Sequence, residues 1–139
     1  MAKFSATVDA WVRKSKQKTE AVFKTAVQST IDDMQTPVGA GGNMPVDTGF
    51  LRASIQASLN APVLRQMPNP GGAAGFATDT SLVIAGAELG DTIYATYGAN
   101  YAVYQEYGAN GKPGRGFVRL AAQNWQANVN RAVAALKAS

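Results

Sequence analysis

The chain has 139 residues, of which 46% are apolar and 16% charged, and its formal net charge is +4. That balance is too apolar and too weakly charged for general disorder, and the length suits one domain with a modest core. Cysteine and histidine are both absent, which excludes disulfides, thiolate metal sites and cysteine nucleophiles and removes the commonest general base and zinc ligand.

The positive charge has a location. Residues 1–24 hold Lys3, Arg13, Lys14, Lys16, Lys18 and Lys24 against Asp9 and Glu20, and the rest of the chain cancels. A basic helix of this kind can follow phosphate or an acidic protein surface, but a solvated face that keeps an amphipathic helix soluble is the preferred reading. No apolar leader and no run long enough to span a bilayer is evident, so the expectation is a soluble cytosolic chain without membrane contact.

From Lys3 to about Gln35 the apolar positions Phe4, Val8, Trp11, Val12, Val22, Phe23, Val27, Ile31 and Met34 recur at helical spacing. Ser15 and Thr19 carry the stripe across a polar interval, Arg13 to Thr19, where a bend or break would fall. Thr36-Pro37 ends the helix, because proline lacks an amide donor and constrains its predecessor. Such a helix would reach about 50 Å, longer than so small a domain covers, so part of it is expected to rest on another subunit. Val38 to Asn43 reads as a flexible Gly-rich linker, without the Lys-Ser or Lys-Thr of a phosphate loop.

Asp47 or Thr48 is placed to cap a short helical turn, and Ser54 to Leu59 alternates as a strand with Ile55, Ala57 and Leu59 on one face. Residues 60–79, with three prolines and Gly71-Gly72, read as a long loop. Leu82 to Ala87 and Thr92 to Tyr97 read as two further strands around a Gly90-Asp91 turn. Asn100 to Tyr107 suits one or two helical turns, and Gly108 to Gly116 a loop. Phe117, Leu120, Ala121, Trp125, Val129, Val133 and Leu136 then give a closing helix one apolar stripe. The fold class is α+β: a long N-terminal helix, a small antiparallel sheet and a C-terminal helix packed on one face. It is one domain, 1–139, with the long helix at 1–36, the linker at 37–46, the sheet with its loops at 47–121 and the closing helix at 117–138.

All five tyrosines fall between Tyr94 and Tyr107. Tyrosine joins a large apolar ring to a polar tip, which suits half-buried contact surfaces. Glu106 is the only acid among them, and Arg52, Arg115 and Arg119 are its candidate partners. Asp32 and Asp33 point about 100° apart on a helix and cannot share a ligand. Their place near the helix C-terminus hints at a cation beyond it, but a solvated pair is the preferred reading. Asp47-Thr48-Gly49 matches the aspartic-protease tripeptide, which in a homodimer would pair two carboxylates. Here it follows a loop rather than an apolar strand, and capping explains the same residues.

Three separated blocks carry a resemblance: Val46-Asp47-Thr48-Gly49 with Leu51-Arg52 and Ser54-Ile55; Tyr101-Ala102, Tyr104 and Glu106-Tyr107-Gly108; and Phe117-Val118-Arg119 with Ala121. In order and spacing they resemble the tail-completion family of long-tailed bacteriophages, also described as neck or minor tail components. The chain departs from that pattern at Ala109, where Thr is frequent, at Gly116, where Pro is frequent, and in an expanded loop at 60–79.

The resemblance implies a virion structural protein of the neck or upper tail, assembled in the host bacterial cytoplasm, without enzymatic activity, metal or cofactor. It would form a homo-oligomeric ring, commonly a hexamer, around the DNA channel. Its partners would be head-closure, tail-terminator or tail-tube proteins. Tyr101, Tyr104, Glu106, Tyr107, Phe117 and Arg119 are expected to form or support the subunit interface, and Arg13, Lys14, Lys16 and Lys18 to meet DNA or an acidic partner. A homodimeric aspartic-type protease using Asp47 and a small non-specific DNA-binding protein are the alternatives from other classes.

Overall fold

Helix α1, Ala2–Gln35, is the longest element and the one on which the others are laid. The computed structural model describes residues 2–46, 49–63 and 80–138. The helix runs unbroken through Arg13 to Thr19, the polar interval that the stripe crosses. Lys, Arg, Gln and Glu are good helix formers, and the Thr19 hydroxyl donates to the Ser15 carbonyl at 2.9 Å within the helix. Pro37 stops the helix as predicted.

The Gly-rich segment read as a linker forms a closed turn. It contains a 3-10 turn at Val38–Ala40, and Val38 N donates to Met44 O while Met44 N donates to Thr36 O, both at 3.0 Å. Met44 is thereby inserted fully into the core. The short helix α2, Phe50–Ala53, follows and buries Phe50 and Leu51. The capping role expected of Asp47 or Thr48 falls outside the described residues; Gly49 holds the N-cap position.

Strand β1, Ile55–Leu59, pairs antiparallel with strand β2, Ile93–Tyr97, from Ile55 opposite Tyr97 to Leu59 opposite Ile93. Opposed residues share a face, so Ile55, Ala57 and Leu59 join Ile93, Ala95 and Tyr97 on one apolar surface. Beyond the strand end, Asn60 N donates to Thr92 O at 2.7 Å and Thr92 N to the Asn60 side-chain oxygen at 2.9 Å. The Asn60 amide and the Glu88 backbone N–H both donate to the Asp91 carboxylate, which holds it below the usual carboxylate range.

The strand expected at Leu82 to Ala87 is instead helix α3, Thr80–Ala85. A short apolar run does not distinguish the two by periodicity. What favours the helix is docking through one residue: Ile84 enters the core while Leu82 stays 70% exposed. Lys24 of α1 donates to the carbonyl of Ala85 at 2.8 Å, satisfying the helix end. Among the described residues the main sheet is therefore two-stranded.

Helix α4, Ala102–Tyr107, appears where helical turns were expected, and the loop after it contains a small antiparallel pair, β3 (Gly108–Ala109) and β4 (Lys112–Pro113). The closing helix is two: α5, Phe117–Gln123, and α6, Trp125–Ala138. Asn124 caps the first, its N–H donating to Ala121 O at 3.0 Å. The predicted stripe is displaced in consequence. The stripe holds at Phe117 and Ala121, which are buried, but Leu120 and Trp125 are exposed, and in α6 the buried residues are Asn128 and Ala132.

The buried Asn128 amide donates to the Thr30 hydroxyl at 3.0 Å and to Asp33 at 3.1 Å, and its oxygen accepts from Arg131 at 2.6 Å. One turn further along the antiparallel pair lie Ala26 and Ala132, both buried, which let the two helices approach closely. The core has two connected parts. Ile31, Met34, Ile55, Ile84 and Ala121 form one, Met44, Phe50, Leu51, Ala99 and Phe117 the other, and Tyr97 and Val118 pack against both.

Candidate functional site

The corner between α4 and α5 is organised by one buried carboxylate. Helix α5 begins at Phe117 after Gly116, whose φ of 62° lies in the left-handed region and which has no side chain to cap the helix. The first amides of a helix still need acceptors. Glu106 supplies them from α4: Oε1 accepts from Val118 N and Oε2 from Arg119 N, each at 3.1 Å. These are the second and third helical positions, those an N-cap side chain normally serves. The carboxylate is only 6% exposed, and its charge also suits the positive end of the helix dipole.

Arg119 closes the corner from outside. Its guanidinium donates to the Glu106 carbonyl at 2.9 Å, its Nε lies 3.9 Å from the Glu106 carboxylate, and it covers the Tyr107 ring at 4.9 Å. Backbone bonds fasten the intervening loop: Arg115 N donates to Gln105 O at 2.7 Å and Gly116 N to Glu106 O at 3.1 Å. Gly114 passes so near the Glu106 carbonyl that any side-chain carbon there would collide with it.

The six predicted interface residues thus converge in space but divide in role. Glu106 and Phe117 are interior: Phe117 meets Tyr97 edge-on with ring centres 5.2 Å apart. Tyr101 is half-buried and inclined at 43° to Phe50, 6.4 Å away. Tyr104 and Tyr107 are outward, 59% and 65% exposed, beside an exposed Val103. Only these last, with Arg119, offer surface; Glu106 and Phe117 shape it from beneath.

Of the three arginines considered for Glu106, Arg119 is the partner. Arg52 is engaged elsewhere, donating from Nε to the Gln35 carbonyl at 2.8 Å. The Gln35 side chain in turn donates to Arg52 O at 3.0 Å and accepts from the Tyr97 hydroxyl at 2.6 Å. This knot joins the end of α1 to α2 and β2, and no motif announced it. Within the chain, Asp32 accepts from the Gln28 amide and Asp33 from the Asn128 amide.

Arg13, Lys14, Lys16 and Lys18 lie exposed on the first half of α1, apart from this corner. Asp47 lies outside the described residues. Among the described residues no three His, Cys, Asp or Glu side chains gather to hold a metal ion, and no helix is long and apolar enough to cross a membrane.

No family model, no curated protein and no solved structure matches this chain.

Proposed function

We propose that the chain is a virion structural protein of a long-tailed bacteriophage: a tail-completion protein that assembles as a ring at the neck or upper tail, around the channel through which DNA leaves. It acts by contact rather than catalysis, through Tyr104, Tyr107 and Arg119, and joins head-closure, tail-terminator or tail-tube neighbours.

The observation that carries this reading is the convergence of the three resembling blocks. Leu51 of the first, Tyr101 and Ala102 of the second, and Phe117 and Val118 of the third pack into one cluster. Glu106 then bonds the second block directly to the third. Residues that share a pattern across seventy positions of sequence serve one structural corner, and that corner leaves aromatic surface uncovered.

The test has two parts. Electron microscopy of the purified chain, alone and with candidate neck proteins, is expected to show rings. Removing the gene from a phage that carries it is expected to leave DNA-filled heads unjoined to tails. Fully infectious particles without this chain would overturn the reading. Tyr104→Ala should weaken ring or neck assembly while changing fold stability by no more than about 0.5 kcal/mol, the usual range for an exposed site; a thermal melt beside an assembly assay measures both.

A further inference from the structure

Two apolar features lie uncovered along α1. The first is an arm: residues 5–18 of α1 extend past the helices that pack on it, and nearly every side chain there is exposed. Its apolar stripe of Val8, Trp11 and Val12 includes a tryptophan 68% exposed. The second is a groove of about 410 Å³ farther along the same helix, walled by Phe23, Val27 and Ile31 of α1, Ile93 of β2 and Trp125 of α6, with Asp91 at its border.

We infer that the arm of one copy seats in the groove of the next copy of this chain. The inference rests on the ring-forming reading above for the existence of a homo-oligomer, and it names how the copies touch. An arm cannot reach its own groove, because the unbroken α1 makes it collinear with the groove's wall. Another copy's arm can lie alongside.

The chemistry of the two surfaces agrees. Residues 1–18 carry five basic side chains and one acidic, while the remaining eight basic and eight acidic residues cancel, so the arm, with Lys3 just before it, holds the net charge. The groove is lined by no basic side chain. Its border carries Asp91, kept ionised by the bonds it accepts from Asn60 and Glu88, with Glu88 in the same turn. A cationic helix with an apolar stripe therefore meets an apolar trough with an anionic edge. Arm-into-groove contact joins two different surfaces of the same protein, so it propagates from copy to copy and closes into a ring where the rotation allows.

The natural absence of cysteine makes cross-linking clean. Two full-length variants, Ser15→Cys in the arm stripe and Thr92→Cys at the groove, are mixed and oxidised, and their association is followed by light scattering. The expected result is a disulfide dimer that needs both variants. Trp11→Asp should raise the concentration for half-association at least about tenfold, the loss typical of a buried aromatic anchor, with an unchanged thermal melt. Oligomers that form without the mixed disulfide, or that link only Ser15→Cys to itself, would overturn the arm-to-groove contact while leaving a ring intact. A chain monomeric at every concentration would overturn this contact and the ring-forming reading together. A monomeric chain whose arm retards duplex DNA would assign the arm to nucleic acid and overturn the inference.

Discussion

Glu106 and Tyr97 show how single polar atoms hold this small core in register. Glu106 replaces the missing N-cap of α5, and both its oxygens accept from backbone amides. In Glu106→Gln one of those amides faces an NH2 group, donor against donor. The expected loss is about 1–3 kcal/mol, the cost of an unsatisfied buried group, with Glu106→Ala at least as severe. A urea titration should show a lower midpoint with unchanged slope. Tyr97 gives a pH signature. Burial pushes its hydroxyl well above the ordinary 10, against the opposing charge of Arg52. A folded value raised above the unfolded one means stability that is full below pH 10 and declines as the pH rises beyond it. Tyr97→Phe loses the hydroxyl's bond to Gln35, about 1 kcal/mol at neutral pH, but also loses this alkaline decline. The gap between the two proteins should therefore narrow above pH 10 in thermal melts across that range.

At the scale of elements, contact between α1 and α6 depends on small residues. Ala26 and Ala132 are buried where large side chains would hold the helices apart. Ala132→Leu should therefore cost about 1–3 kcal/mol by overpacking, read as a lowered melting temperature. This feature also explains a limit of the sequence pattern. The apolar periodicity located α1, both strands of the main sheet, α4 and the start of α5. It failed at α6 because it followed bulk: Val129 and Val133 flank the contact, whereas Asn128 and Ala132 make it. It failed at α3 because Leu82 to Ile84 suit either state, and the choice depends on the docking of Ile84 against core residues distant in sequence. The corner was more legible. Glu106 stands out as an isolated acid with Arg52, Arg115 and Arg119 as its candidate partners, and only the fold selects Arg119. That Glu106 would cap a helix was hidden, because a cap delivered from twelve residues upstream leaves no local signature.

The whole molecule is uneven in what supports it. The C-terminal half of α1 is covered by α5, α6 and α3, and contains the buried Ala26, Ile31 and Met34. The N-terminal arm has no such cover, and isolated helices shorter than about 12–15 residues are marginal in water. Local stability should follow burial: amides of residues 5–18 are expected to exchange hydrogen at least about tenfold faster than those of residues 26–34, where opening is tied to the fold as a whole. The contrast bears on assembly. If the arm becomes ordered against a neighbour, its amides gain protection only at concentrations where copies associate, while those of the body hardly change. Ordering at that moment would oppose association and would keep free subunits from joining prematurely. Exchange measured by mass spectrometry across a dilution series decides it: protection of the arm that is independent of concentration would mean an arm stable by itself, with no ordering step to restrain assembly.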